Sequence, residues 1–287
     1  LIADGAYRSV TVDNGSVTIE SRSGEQSDFP VLEDAFKNLK DGVYIGELLV
    51  RGITNRAEAN GIINSPSADH SDVYIQLWDY VTLDEFYVRP KDKKNKTLYV
   101  DRWNNLLDIL DDDIGNSEKV TPIPTVMVSD IREAMEQTGE WMKEGYEGAI
   151  LKDKNNIFCD HTSPTQLKIK LEIELEVRIT GFTEGKKGTK REKTFGAMTF
   201  ETDDGQIKGQ TSGFSDSMLK DFNSRRDELI GQIFTIRCND ITKSKDHDFH
   251  ALSHPRFIEL REDRDTTDTL ERSFELKELA MTLGEVA

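Results

Sequence analysis

Cysteine is nearly missing: Cys159 and Cys238 are the only two in 287 residues. Two cysteines allow one pairing at most, so a disulfide-stapled scaffold is excluded, and two buried thiols in a reducing cytoplasm are the expectation. Long apolar runs are missing too. No stretch approaches the ~20 residues that a bilayer-spanning helix needs, so no membrane partner is expected. There is neither an initial Met nor a charged-then-apolar leader. The expectation is a non-secreted, cytoplasmic protein from which something upstream has been removed. Basic charge is short overall, with 37 Lys and Arg against 54 Asp and Glu and a net charge of −17. An average of that sign argues against a uniformly basic, polyanion-binding surface.

What is present is enough for two ordinary domains, each with its own core. A hydrophobic content of 36% beside a charged content of 32% describes a globular chain with a heavily charged surface. The positive charge is concentrated rather than spread. RPKDKKNK holds Arg89, Lys91, Lys93, Lys94 and Lys96, and GKKGTKREK holds Lys186, Lys187, Lys190, Arg191 and Lys193. Acid gathers at Asp111–Asp113 and at Asp203-Asp204. A dipolar distribution of this kind suits polyanion binding on one side; the competing reading is two solvated lysine-rich loops.

The first half reads as short strands with helices between them. YRSVTV and SVTIES flank Asp13-Asn14-Gly15 as a β-hairpin, and DGVYIGELLV and DVYIQLWDYV are further strands. VLEDAFKNL, RWNNLLDILDDD and DIREAMEQTGEWMKEG carry apolar residues at helical spacing. EGAILKDK and QLKIKLEIELEVRITGF return to strand. After about Glu176 the pattern becomes β-rich, with Gly turns and one interposed charged helix, SDSMLKDFNSRRDELI. That pattern suits a small Greek-key barrel of the OB type. The fold class is therefore α+β, with a mixed-sheet domain over 1–175 and a barrel domain with a C-terminal tail over 176–287.

Single polar motifs carry little weight alone. Ala3-Asp4-Gly5 is a tight turn. Arg22 sits in the turn SRSG, and Glu47 lies in an apolar strand where an acid needs a partner or a ligand. Asp79 follows Trp78 in LWDYV, and Glu147 precedes the apolar strand that ends at Lys152. Lys168 and Lys170 flank Ile169 and so share one strand face. Arg261, Asp263 and Arg264 stand near the C-terminus. His247, His250 and His254 invite a zinc reading, but no Cys cluster supports it, and solvated loop histidines are the simpler account.

Their order along the chain resembles the covalent nucleotidyltransferases, specifically the bacteriophage-type ATP-dependent DNA ligases. The resemblance runs from LIADGA to LREDR, with IQLWDYV, EGAILK and QLKIK its most specific stretches. It implies a nucleotidyltransferase (adenylation) domain followed by an OB-fold domain. In such enzymes a Lys in K-x-D-G attacks the α-phosphate of ATP, AMP passes to the 5′-phosphate of a nick, and the 3′-hydroxyl displaces it. It implies ATP and Mg²⁺ as cofactors, nicked double-stranded DNA as partner, a monomer, and the cytoplasm of a phage-infected bacterium. Trp78 would stack on adenine, with Glu47 and Arg22 on the ribose and the neighbouring phosphate. Glu147, with Glu47, would hold the metal. Lys168 and Lys170 would neutralise the transferring phosphate. Ala3, Asp4, Gly5, Arg8 and Lys152 would complete the site, while Arg261, Asp263 and Arg264 would orient the pyrophosphate. The loop lysines and Arg191 would contact the duplex.

The chain departs from that pattern in three places. The nucleophile position is Ile2, which has no lone pair for covalent catalysis. The Arg that usually follows the turn falls at Tyr7 or, one residue late, at Arg8. Ile45 stands where an acid often precedes Gly-Glu. The strand and any α-helical DNA-binding domain usually upstream are expected to be absent. The expected consequence is a protein that cannot adenylate itself but retains nucleotide and nick binding. RNA ligases, capping enzymes and a catalytically silent DNA-end-binding module are the competing readings.

Overall fold

The computed structural model describes residues 1–287 apart from 4, 54–55, 88–96, 115–117, 160–162, 244–246 and 284–287. Asp4 and the basic run 89–96 therefore lie outside the described residues. The chain divides into two compact units, Leu1–Ala134 with Lys143–Ile169, and Met135–Met142 with Lys170–Ala287.

The first unit is built on a five-stranded sheet in the order β2-β1-β3-β4-β5. β1 (Ala6–Asp13) and β2 (Ser16–Glu20) form the expected hairpin; Asn14 and Gly15 both take positive φ, 50° and 78°, as a tight two-residue turn requires. β3 (Gly42–Val50) pairs antiparallel with β1 and with β4 (Val73–Val81), while β5 (Val120–Pro122) runs parallel to β4. Alternation sends Val10, Val12, Tyr44, Leu48, Ile75 and Leu77 to one face. There they bury against residues of α1 (Pro30–Phe36), α2 (Arg56–Ile63) and α4 (Tyr99–Ile109). The opposite face carries a smaller cluster of Val43, Ile45 and Val81, with Tyr7 and Trp78 against it.

A bulge interrupts the β3–β4 ladder: Ile45 pairs with Asp79 and Gly46 with Leu77, so Trp78 is the extra residue. Gly46 permits this close approach, because a Cβ there would lie 2.3 Å from the Gln76 carbonyl oxygen. α3 (Leu83–Phe86) follows β4, and α5 (Ile131–Lys143) follows β5. β6 (Gly148–Lys152) and β7 (Gln166–Lys170) form a two-stranded ribbon.

The second unit holds an antiparallel sheet in the order β10-β9-β8-β11-β14. Its strands are β8 (Ile173–Glu184), β9 (Phe195–Glu201), β10 (Lys208–Thr211), β11 (Ile233–Cys238) and β14 (Arg256–Leu260). β12 (Asp240–Lys243) and β13 (His250–Ser253) make a separate ribbon, tied to the sheet's β10 end by a bridge between Ile207 and His250. The expected barrel thus takes the form of an open sheet and a ribbon; among the described residues no ladder closes it into a ring. The apolar run 166–183 breaks at Leu171-Glu172 into β7 and β8, and the charged helix breaks at Arg225 into α6 (Asp216–Ser224) and α7 (Arg226–Leu229). Phe195, Phe200, Phe234 and Ile236 centre the core, and the tail folds as α8 (Leu270–Leu283). Among the described residues no helix is long and apolar enough to cross a membrane.

Candidate active site

The residues before β1 line a cleft of about 430 Å³ in the first unit. Its lining includes Ile2, Ala3, Gly5, Arg8, Arg22, Glu47, Glu147 and Lys168, so much of the sequence-derived set converges here. Two hydrogen bonds anchor Ile2 and Gly5: the Ile2 N–H donates to the Gly148 carbonyl at 2.8 Å, and the Gly5 N–H donates to Glu47 Oε2 at 2.9 Å. Glu47, the acid in an apolar strand, therefore has the partner it needs. Ile2 is 6% exposed, so the position that would hold a nucleophile is packed as an apolar residue.

Tyr7 and Arg8 are successive residues of β1 and point to opposite faces. Tyr7 packs with Val43, Ile45 and Trp78, directly across the ladder from Glu47. Arg8 is on the other side and buried, and it donates from Nη1 to the Tyr7 carbonyl at 2.8 Å. The one-residue delay of the arginine is thus a change of face, and Tyr7 occupies the side shared with Glu47. The Arg22 guanidinium lies 4.7 Å from the Tyr7 ring centre, and Tyr7 stands 6.1 Å from Trp78 in a tilted pair. Lys152 approaches Trp78 from further along, 5.9 Å from its ring and 4.4 Å from that of Tyr99. The series Arg22, Tyr7, Trp78, Lys152 runs cation, ring, ring, cation, and its two outer contacts are favourable to the positive charge.

Behind Trp78 lies a buried polar cluster. Arg102 holds Asp79 through two bonds, Nε–Oδ1 at 2.8 Å and Nη2–Oδ2 at 2.9 Å, and donates from Nη1 to the Thr97 carbonyl at 2.8 Å. Asp79 is accounted for by this ion pair. Tyr99 donates its hydroxyl to the Trp78 carbonyl at 2.9 Å, and Lys152 Nζ reaches that hydroxyl at 3.2 Å. Burial pushes the Lys152 amine down to about 8, with Asp79 opposing the shift and Arg102 adding to it. Burial and the Asp79 charge raise the Tyr99 phenol above its ordinary range.

Lys168 is exposed at the cleft, whereas Lys170, two residues on, is the first residue of the second unit's main segment and is not part of the lining. Within the second unit, Arg261 binds Asp263 through Nε at 2.9 Å and Nη2 at 2.8 Å, and donates from Nη1 to Glu176 at 2.6 Å. The Arg261 hydrogen bond pulls the Asp263 carboxyl down to about 2. Arg264 is exposed in the same turn. The loop between β8 and β9 exposes Lys186, Lys187, Lys190 and Lys193; Arg191 turns inward and donates to the Gly196 carbonyl at 2.8 Å. Arg191 thus has a structural partner that its place in a basic run did not suggest.

Sequence reading passed over Tyr99, Arg102, Asn60 and Asn64. The last two also line the cleft, from α2 and its end. Their spacing of four along a helical stretch is the signal that could have revealed them.

No protein-family model matches the chain. It is 26% identical over 281 residues to the DNA ligase of Enterobacteria phage T4, covering 92% of this chain and 55% of that protein. It is 27% identical over 236 residues to the DNA ligase of Enterobacteria phage T6, covering 77% and 46%. The chain therefore spans about half the length of these curated relatives. Among solved structures, one described as "Pmar-Lig_Pre." superposes with a TM-score of 0.76 at 24% identity over 90% of this chain and 62% of that one. A second, from a structure-function study of Lig E DNA ligases, gives 0.67 at 17% identity over 91% and 90%. The chain shares the fold of these structures, and in sequence it resembles the phage DNA ligases, as its ordered motifs indicated.

Proposed function

We propose that the chain is the nucleotidyltransferase and OB-type portion of an ATP-dependent DNA ligase, acting on 3′-hydroxyl/5′-phosphate nicks in duplex DNA. The observation that carries this reading is the convergence of Ile2, Arg22, Glu47, Glu147 and Lys168 on one cleft, in a chain whose sequence resembles phage DNA ligases. The cleft offers charges of both signs. Lys168 and Arg22 would bind and neutralise phosphate, and Trp78 and Tyr7 would present rings toward a base. The residues also fit Mg²⁺, which binds through one or two carboxylates and keeps several waters. Glu47 and Glu147 would hold it, and when bound it would neutralise charge on the transferring phosphoryl group. The exposed lysines 186, 187, 190 and 193 would track the duplex backbone, and Arg261, Asp263 and Arg264 would serve the pyrophosphate in the nucleotide-charging step.

Ile2 sets which steps this chain can perform. A covalent Lys–AMP adduct needs an amine where Ile2 has only carbon, so self-adenylation is expected to fail. Closure of a nick already carrying 5′-AMP does not use that amine. The 3′-hydroxyl attacks the 5′-phosphorus and loses its proton to solvent, a new P–O ester bond forms, the phosphoanhydride bond breaks, and AMP leaves with the electron pair. The chain's contribution would be positioning and charge compensation. The buried, apolar Ile2 equally favours a second reading, a silent nick-binding module.

The experiment is joining of a pre-adenylated nick with Mg²⁺ and no ATP, beside Ile2→Lys given ATP and an ordinary nick. Sealing in both supports the ligase reading. Nick binding with no joining in either favours the silent module. A stable gain of one AMP by the unsubstituted chain, read by mass spectrometry, would contradict the role given to Ile2.

A further inference from the structure

Trp78 is paired in neither ladder of β4 among the described residues. On the β3 side Ile45 pairs with Asp79 and Gly46 with Leu77, and the parallel ladder to β5 ends at Leu77 and Pro122. Its carbonyl therefore needs an acceptor's partner that the sheet does not supply, as is usual at a bulge. The Tyr99 hydroxyl fills that place, donating to the Trp78 carbonyl at 2.9 Å. Tyr99 opens α4, and its own N–H donates to the Asn156 carbonyl at 2.8 Å. Two cations hold its ring: the Arg102 guanidinium lies 5.5 Å from the ring centre and Lys152 Nζ 4.4 Å. Lys152 also donates to the Tyr99 hydroxyl oxygen at 3.2 Å, which leaves the hydroxyl proton for Trp78. A directed chain thus runs from Lys152 through Tyr99 to the backbone of the bulge.

The direction of the Trp78 ring depends on that bulge, because a change of register along a strand changes the face to which each side chain turns. Here the indole lies with Val43, Ile45 and Tyr7 on the side of the sheet away from the main core, and Tyr7 lines the cleft. We propose that Tyr99 is a positioning residue for Trp78: its hydroxyl pins the bulge, and with it the plane of the indole against which a base packs. Lys152 orients that hydroxyl. Tyr99 touches no substrate in this role and acts through the backbone of β4 alone. The inference rests on the ligase reading in one respect, that the occupant beside Trp78 is a nucleotide base. Tyr99 lies outside the ordered motifs, so their order gives no sign of it. A residue that braced β4 for stability alone would affect every ligand of the cleft alike, whereas one that sets the indole plane affects the base and spares the phosphates.

Calorimetric titration of the whole chain, with Mg²⁺, against ATP and against inorganic tripolyphosphate gives a ratio of affinities; the second ligand has the phosphates and no base. Trp78→Ala should lower that ratio about tenfold, the size of one base–aromatic stack. Tyr99→Phe, which removes a single oxygen and keeps the ring, should lower it at least about threefold while tripolyphosphate binding stays within about twofold of the parent. Lys152→Met, which leaves the bond from Tyr99 to Trp78 in place, should lower the ratio less than Tyr99→Phe does. If circular dichroism shows that Tyr99→Phe does not fold, Lys152→Met carries the test, with a fall of at least about twofold expected. A ratio lowered by Trp78→Ala but unmoved by the folded test variant overturns the positioning role and leaves the base contact standing. A parent ratio near one that Trp78→Ala does not move overturns the base contact, and this inference with it.

Discussion

At Gly5 there is no room for a side chain. A Cβ there would lie 2.2 Å from the Leu48 carbonyl oxygen, closer than any relaxed contact, while the residue's own N–H is bound to Glu47. Gly5→Ala must therefore push β1 away from β3 beside the cleft; urea denaturation should show a loss of roughly 1–3 kcal/mol, the usual size of an overpacking penalty. Lys152 makes a second prediction. Its folded pKa, about 8, lies below its ordinary 10.5, so between those values the unfolded chain binds more protons than the folded one. Lys152 should then contribute a stability that rises with pH across that window, by up to ~1.4 kcal/mol per pH unit, and that levels off below 8, where both states are protonated. Because burial holds the Cys238 thiol and the Tyr80 phenol up at about 12 and these act with the opposite sign, the comparison is with Lys152→Met: the parent's slope should be the more positive of the two, and equal slopes would remove the assignment to Lys152. Glu47, Glu147 and Lys168 were candidates through the order of the motifs rather than through any one of them, and the three line one cleft. Sequence alone could not reveal that Asp79 is committed to Arg102, since that pair joins residues 23 apart. Nor could it choose between Tyr7 and Arg8, because the choice depends on which face of β1 turns toward Glu47.

β4 shows how an element positions a site. Without its bulge, alternation would carry the core-facing phase of Ile75 and Leu77 unchanged through Asp79; the extra residue Trp78 shifts that phase so that Tyr80 is the next to join the core. Asp79 is then buried where Arg102 of α4 can reach it with two bonds. Asp79→Ala should cost about 3–5 kcal/mol, because it leaves a guanidinium buried without its carboxylate. The double change Asp79→Leu with Arg102→Met should cost clearly less, and chemical denaturation of the three variants checks the order. The major strands and helices were legible because each combines the correct period with turn residues at its ends. α2 was missed: its short sequence RAEANGII has weak amphipathicity and contains Gly61. The break at Leu171-Glu172 was hidden because apolar alternation runs through it without a turn residue. Barrel closure depends on which edge strands meet, a long-range matter on which local alternation is silent.

For the molecule as a whole, the net charge of −17 and the exposed lysine loop act in opposite directions on a nucleic acid. Long-range repulsion is screened by salt, while each neutralised phosphate makes binding weaken as salt rises. If the loop meets the duplex, Lys186→Ala with Lys187→Ala should lower the slope of log affinity against log salt by ~0.9 for each phosphate that is no longer neutralised. The weakening should be equal for all sequences, and electrophoretic titration at several salt concentrations measures it. Arg191→Ala should behave differently. Its guanidinium closes its own loop on Gly196, so the change should disturb the loop's shape as well as its charge.

The row of Arg22, Tyr7, Trp78 and Lys152 also gives the protein a built-in optical probe. An indole's emission responds to charge held near its ring, and Trp78 has the Lys152 ammonium 5.9 Å away on a group that titrates near pH 8. Fluorescence attributable to Trp78, isolated by replacing Trp103 and Trp141 with Phe, should change colour or intensity across that pH. Occupation of the cleft should alter the same signal through Tyr7, so that filling of the site can be followed by light without attaching a label.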